Sequence, residues 1–106
     1  MSLHPEVIYA NAESAWPGVS RDDLIWVGPL GSRLDALVYH RRLHEVTTGR
    51  RGEGPCFKGT LDEFSENLED DYGKRLEVPY GNAERLTRLR DEYRAAIAFF
   101  RMLPPI

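Results

Sequence analysis

The sequence predicts a helix-dominated α+β or all-α fold in which two C-terminal helices pack against a less regular N-terminal half. Two long segments, about 60–73 and 82–103, carry apolar residues at helical spacing. The apolar stretches of the first half are shorter and interrupted by glycine and proline. A length of 106 residues suits one hydrophobic core. We therefore expect residues 1–106 to form a single domain.

The segment TLDEFSENLEDDYG has the start and stop patterns of a helix. Thr60 and Glu63 have the spacing of a capping box, and Gly73 is a typical helix stop. One side of this helix is apolar and consists of Leu61, Phe64, Leu68 and Tyr72. The other side, the carboxylate face, consists of Asp62, Glu63, Glu66, Glu69 and Asp70. Like charges at this spacing repel each other, so the face is interpreted either as a solubilising surface or as a docking surface for a basic partner.

The segment GNAERLTRLRDEYRAAIAFFRML predicts a second helix, which begins at Asn82 and is stopped by Pro104-Pro105. Its main apolar seam consists of Leu86, Leu89, Tyr93, Ala96, Ile97, Phe100 and Leu103. We expect this seam to pack on the apolar side of the first helix. Phe99 and Met102 add apolar surface away from the seam, which either the rest of the chain or another chain must cover. Their position at one end of the helix favours a contact between two copies of the chain.

The first half of the chain has weaker patterns. The segment HPEVIYANAESAWPG predicts a short helix that is stopped by Pro17-Gly18. The apolar run 24–27 is typical of either a buried strand or an apolar turn of helix. Residues 47–59 hold four glycines and one proline, and we expect them to form a mobile loop.

Two histidines, His40 and His44, lie in the segment VYHRRLHEV. On a helix their Cβ atoms would be about 6 Å apart, close enough to share a zinc ion. On a strand they would be about 13 Å apart, too far for one ion. The helical template fits residues 36–46 better, although the strand remains open. His40 and His44 are therefore candidate metal ligands, with His4 and Cys56 as further ligands.

Sequence motifs of catalytic sites are scarce. The chain has no GxSxG motif, and Cys56, the only cysteine, has no neighbouring base in the sequence. An acid–base pair of His40 or His44 with Glu45 or Asp35 is the remaining arrangement. We expect a protein that is not an enzyme and has no cofactor. A metal-dependent or acid–base enzyme centred on His40 and His44 is the alternative hypothesis.

Charge and composition limit the partners and the compartment. Seventeen acidic and fourteen basic side chains give a net charge of -3, which opposes non-specific binding to nucleic acid. No apolar run approaches the roughly 18 residues that cross a membrane. The N-terminus lacks a basic region followed by an apolar segment, and one cysteine cannot form an internal disulfide. These observations predict a cytoplasmic protein that contacts no membrane.

The stretch DDYGKRLEVPYGNAERLTRLRDEYRAAIAFF, residues 70–100, is similar to the YG...L..P....L..LR...YR pattern of phage-derived HigB-type toxins. That resemblance implies a ribosome-dependent RNase in which the LR and YR residues lie on a strand pair. Here Leu89-Arg90 and Tyr93-Arg94 continue a helical seam instead. We therefore do not transfer the fold or the activity of that family to this chain.

Together these patterns predict a small protein-binding module, such as an inhibitor, an immunity-type or antitoxin-type partner, or an accessory subunit. It would act through the carboxylate face and through Phe99 and Met102 on the last helix. The expected partner is another protein with a basic surface, and a second copy of the chain is the other candidate.

Overall fold

The computed structural model describes residues 5–30, 35–50, 54–76 and 83–104, which form a mixed α+β fold. The helices are α1 (Pro5–Ala15), α2 (Leu61–Leu76) and α3 (Ala83–Met102). The strands are β1 (Leu24–Leu30), β2 (Asp35–His40), β3 (Glu45–Arg50) and β4 (Gly54–Thr60). The expectation of a helix-dominated or all-α fold is wrong, because a four-stranded antiparallel sheet lies between α1 and the two C-terminal helices.

The order of the strands in the sheet is the order along the chain, β1-β2-β3-β4. Each strand pairs antiparallel with the next, and Tyr39 on β2 lies opposite both Ile25 on β1 and Val46 on β3. Successive side chains of a strand point to opposite faces of the sheet. The register therefore places Ile25, Tyr39 and Val46 on one face.

Both faces of the sheet are covered by helices. On one face the side chains of Leu37, Tyr39 and Val46 pack against α2 and α3. On the other face Ala36 and Val38 pack against α1. Residues 36–40 are all buried, so β2 has no solvent-facing side. A strand that is buried on both faces loses the alternation of apolar and polar residues that identifies half-exposed strands.

Helix α1 follows the sequence prediction. Its first residue, Pro5, has the fixed φ angle and the missing N–H that a first helical position tolerates. After the last turn, the Trp16 amide donates to the Ala12 carbonyl over 2.8 Å, and Gly18 then adopts a φ of 77°. This left-handed conformation is accessible to glycine at little cost and turns the chain toward β1.

Helix α2 begins as its capping box predicts. The Thr60 amide donates to Glu63 Oε1 over 3.2 Å, and the Glu63 amide donates to Thr60 Oγ1 over 3.1 Å. The four apolar side chains of this helix are buried, as the periodicity predicts: Leu61, Phe64, Leu68 and Tyr72. The helix continues past Gly73, which therefore does not act as a stop.

Two further expectations for the first half are wrong. Residues 36–46 form a hairpin with a four-residue turn, Arg41–His44, and not a helix. The range 47–59, expected as a mobile loop, supplies most of β3 and β4, while residues 51–53 lie outside the described part of the chain. The glycine-rich composition predicts a loop, but β3 pairs with β2 and β4 pairs with β3, and local composition does not reveal these hydrogen bonds.

Neighbouring phenylalanines offer a matched test of the packing. Phe100 is 1% exposed and its ring stacks on that of Tyr39, whereas Phe99 is 43% exposed. We expect Phe100→Ala to lower the free energy of unfolding by roughly 3–5 kcal/mol, because it leaves a cavity. Phe99→Ala should change it by less than about 1 kcal/mol. Urea unfolding of both variants in dilute solution measures this difference, and equal losses would contradict the packing described.

Candidate functional site

His40 and His44 lie at the two ends of the Arg41–His44 turn and face different layers of the fold. The His40 ring contacts the ring of Trp16, which packs with α1, at a centroid distance of 5.1 Å. His44 Nδ1 lies 2.8 Å from the hydroxyl of Tyr39, on the side of α2 and α3. The helical spacing on which the shared metal site depended is thus absent.

The described residues also do not bring together the other side chains on which the metal and acid–base hypotheses depend. Glu45, considered as a partner of either histidine, accepts a hydrogen bond of 2.8 Å from Trp16 Nε1. His4 and the side chains of Asp35 and Cys56 lie outside the part of the chain that the structure describes. Among the described residues, no group of three or more His, Cys, Asp or Glu side chains is placed to hold a metal ion.

His44, whose ring contacts the Tyr39 hydroxyl, has an unusual backbone conformation. His44 has a φ of 56°, in the left-handed region that favours glycine or asparagine. Two backbone hydrogen bonds hold it there: its amide donates to the His40 carbonyl over 2.9 Å, and its carbonyl accepts from the Leu61 amide over 3.1 Å. The turn is thereby fixed to the first residue of α2.

A cleft of about 550 Å³ opens between this turn, the start of α2 and the end of α3. It is lined by Tyr39, His44, Thr60, Leu61, Asp62, Phe100, Arg101 and Leu103. The sequence indicates His44 and Asp62 as functional candidates but does not connect them. The sequence does not indicate Tyr39, because residues 36–46 fit the helical template better than the hairpin that brings Tyr39 beside His44. It does not indicate Arg101, because the pairing with Asp62 joins residues 39 positions apart.

Burial in the sheet raises the pKa of the Tyr39 phenol above its usual value, while the positive charge of Arg41 opposes the shift. The Arg41 side chain reaches the end of α3, where Nη2 donates to the Pro104 carbonyl over 3.3 Å. Arg41 Nε is buried and has no hydrogen-bond partner among the described residues. The phenol therefore stays protonated at neutral pH and available as a hydrogen-bond donor.

The carboxylate face is less repulsive than the sequence indicates, because α3 supplies two arginines to it. Glu69 accepts from Arg94 Nε over 2.6 Å, and Asp62 accepts from Arg101 Nη2 over 3.0 Å. The hydrogen bond from Arg94 lowers the pKa of the Glu69 carboxyl below its usual value.

The remaining carboxylates of this face differ in their surroundings. Glu63 closes the capping box, and Asp70 forms an i,i+4 ion pair of 3.0 Å with Lys74. Glu66 is exposed, and no ion pair or hydrogen bond joins its side chain to another described residue. The part of the face that is left without compensation is therefore centred on Glu66.

The apolar flank of α3, defined by Ala95, Phe99 and Met102, lies on the outside of the fold. All three residues are exposed, Phe99 to 43% and Met102 to 82%. At 100° per residue, the flank lies roughly 120° around the helix axis from the buried Phe100. It lies at a similar angle from the arginines that contact α2, so it points away from both the core and α2. Within the described residues, the first half of the chain does not cover Phe99.

Comparison with known proteins gives no family for this chain. No family model, curated protein or solved structure matches it. Among the helices of the described residues, none is both long enough and apolar enough to cross a membrane. The functional proposals therefore depend on the geometry of the cleft, the carboxylate face and the apolar flank.

The raised pKa of Tyr39 predicts a loss of stability at alkaline pH. Below the unfolded pKa of about 10, the phenol is protonated in both states and the pH has no effect through this group. Above it the unfolded chain releases the proton first, so the free energy of unfolding falls as the pH rises through the folded pKa. Tyr39→Phe should flatten this fall. Melting temperatures of both proteins from about pH 9 to pH 11 measure it, and identical slopes would contradict the assignment.

Two neighbouring glutamates should respond differently to neutralisation. Glu69→Gln weakens the pair with Arg94. Both side chains are nearly half exposed, so we expect a small loss of stability that shrinks in high salt. Glu66→Gln relieves repulsion with Asp70 and should leave stability unchanged or slightly higher. Chemical unfolding at low and high salt compares the two variants. The opposite ranking would show that the cross-helix pair does not stabilise the fold.

Proposed function

We propose that this chain is a small protein-binding module that docks a partner through the apolar flank and the adjacent carboxylate face. It would serve as an inhibitor, an immunity-type or antitoxin-type partner, or an accessory subunit. The main support is the exposure of Phe99 and Met102 beside the fully packed Phe100.

Exposed apolar side chains that lie together favour association. Met102 and Phe99 are separated by one helical turn on the same side of α3, with Ala95 one turn further. Burying apolar surface yields about 25 cal/mol per Å², so each of the two large side chains is able to contribute substantially to an interface. Clustered exposed apolar residues are typical of interaction sites, whereas single ones are common on any surface.

The chemistry beside the flank indicates the kind of partner. Helix α2 lies against α3 along the ion pairs of Asp62 with Arg101 and Glu69 with Arg94. Beyond these pairs, the outer side of α2 presents the exposed carboxylate of Glu66. A partner that carries an apolar patch next to lysine or arginine side chains would complement both helices.

The same ion pairs favour a different protein over a second copy of this chain. A second copy would bring the same flank and the same carboxylates, and its Arg94 and Arg101 already contact Glu69 and Asp62. Two copies that meet through this surface would therefore bury apolar area without new opposite charges. Homodimerisation remains the competing form of the proposal and is decided by the mass of the protein in solution.

The substitution Phe99→Asp tests the flank. It places a charge in the proposed interface without opening a cavity, so the protein should fold and lose capture of its partner. The matched control is Ala83→Asp, which adds the same charge on the exposed first turn of α3, roughly 24 Å along the helix. Capture from an extract of the native source, followed by mass spectrometry, identifies proteins retained by the parent and by the control but lost by Phe99→Asp.

Two further measurements separate the competing outcomes. With the captured protein purified, Glu66→Gln should weaken binding at low salt and reduce its salt dependence. Light scattering of the parent chain alone should give a monomeric mass, while a dimeric mass that Phe99→Asp reduces would assign the flank to a second copy. Capture that is equally strong with Phe99→Asp and with the parent would refute the docking surface.

A further inference from the structure

The cleft beside Tyr39 and His44 shares only Asp62 with the protein-docking surface and has its own chemistry. We propose that it binds a small monocarboxylate with a planar apolar body, such as an aromatic acid. The inference depends on three properties of the cleft: an apolar floor, one arginine in a weak ion pair, and a histidine held toward it by the backbone.

The floor of the cleft fits a flat apolar group. The rings of Tyr39 and Phe100 are stacked, with centroids 5.0 Å apart and an angle of 16° between their planes. Leu61 and Leu103 complete the apolar lining. The volume of about 550 Å³ lies within the range of roughly 300–1,000 Å³ that is typical of small-molecule sites. Tyr39 and Phe100 are only 5% and 1% exposed, so a planar ligand would lie against the edge of this stack and contact Leu61 or Leu103.

Arg101 supplies a positive charge at the edge of this floor. Its Nη2 donates to Asp62 over 3.0 Å, and the side chains are 52% and 84% exposed. An ion pair as exposed as this one is typically worth less than about 1 kcal/mol, so a ligand carboxylate competes with Asp62 at little cost. The planar guanidinium has five N–H donors and pairs readily with a carboxylate through two of them.

His44 supplies the second polar group. A non-glycine residue at positive φ is costly, and glycine or asparagine would suit this turn position better. The histidine ring is nevertheless fixed there by the Tyr39 hydroxyl over 2.8 Å. Because Nδ1 takes part in that bond, the other ring nitrogen is left to contact a ligand. Strained positions of this kind are concentrated at binding sites.

The start of α2 favours a monocarboxylate over a phosphate. Phosphates at helix N-termini are held by the first backbone amides. Here the amides of Thr60 and Glu63 are used within the capping box, and the amide of Leu61 donates to the His44 carbonyl. Asp62 adds a negative charge to the same cleft. One arginine with one competing carboxylate suits a single negative charge.

Titration of the ¹⁵N-labelled full chain with benzoate tests the proposal, because benzoate combines the planar body with one carboxylate. We expect saturable shifts of the amide signals of His44, Leu61 and Arg101, with a dissociation constant on the order of 1 mM for so small a ligand. Benzamide, which has the same shape without the charge, and inorganic phosphate should leave these signals nearly unchanged.

A pair of matched arginine variants tests which positive charge contacts the carboxylate of benzoate. Arg101→Gln should weaken benzoate binding at least about tenfold, the loss expected for a charge-assisted contact. Arg94→Gln is the control, because Arg94 pairs with α2 in the same way but lies two turns away and does not line the cleft. Asp62→Asn should tighten binding by removing the competitor.

Four results would overturn the proposal. These are the absence of saturable shifts at the cleft, equal shifts with benzamide, equal shifts with phosphate, and equal weakening by Arg101→Gln and Arg94→Gln. Both arginine side chains are about half exposed, so the variants should fold. Unchanged amide signals from α1 and β1 would verify this in the same spectra.

Discussion

The central hairpin of β2 and β3 must be covered on both faces, and the rest of the fold follows from that requirement. Leu37 and Val38 are adjacent in the chain, point to opposite faces, and are 0% and 3% exposed. On β3 the neighbours Val46 and Thr47 are equally buried, and the Thr47 hydroxyl donates to the Phe57 carbonyl over 2.6 Å. One helix on one side and a pair of helices on the other provide the cover. Removing either layer would expose apolar side chains of the same two strands.

The same requirement explains which parts of the fold were predictable. Helices α2 and α3 have one packed side each, and their periodicity and the capping box at Thr60 are local properties that a sequence displays directly. Strand β2 has no polar side, so the segment ALVYH fits neither a strand template nor a helix template cleanly. The glycines between Thr47 and Thr60 indicated a loop, since strand pairing depends on partners that lie elsewhere in the chain.

For the candidate site, too, the sequence predicts features that depend on local contacts and misses those that depend on contacts between distant residues. Phe99 stood out because it lies about 100° from the seam on a helix that the sequence already identified. The sequence does not reveal the arginine partners of the carboxylates, because Arg94 is 25 positions from Glu69 and Arg101 is 39 positions from Asp62. Their pairing follows from the antiparallel packing of α2 and α3. Side-chain periodicity predicts that the apolar faces of these helices meet, but not which charged residues then lie opposite each other.

The order of the strands also bears on how the chain folds. Each strand pairs with its neighbour in sequence, so every strand pairing closes a short loop, and local pairing of this kind is associated with faster folding than pairing of distant segments. During synthesis, α1 and the whole sheet leave the ribosome before α2 and α3. One face of the sheet, including Leu37, Tyr39 and Val46, is then exposed to water until the two helices arrive. In this interval the apolar face of the sheet would favour aggregation of the nascent chain, until α2 and α3 cover it.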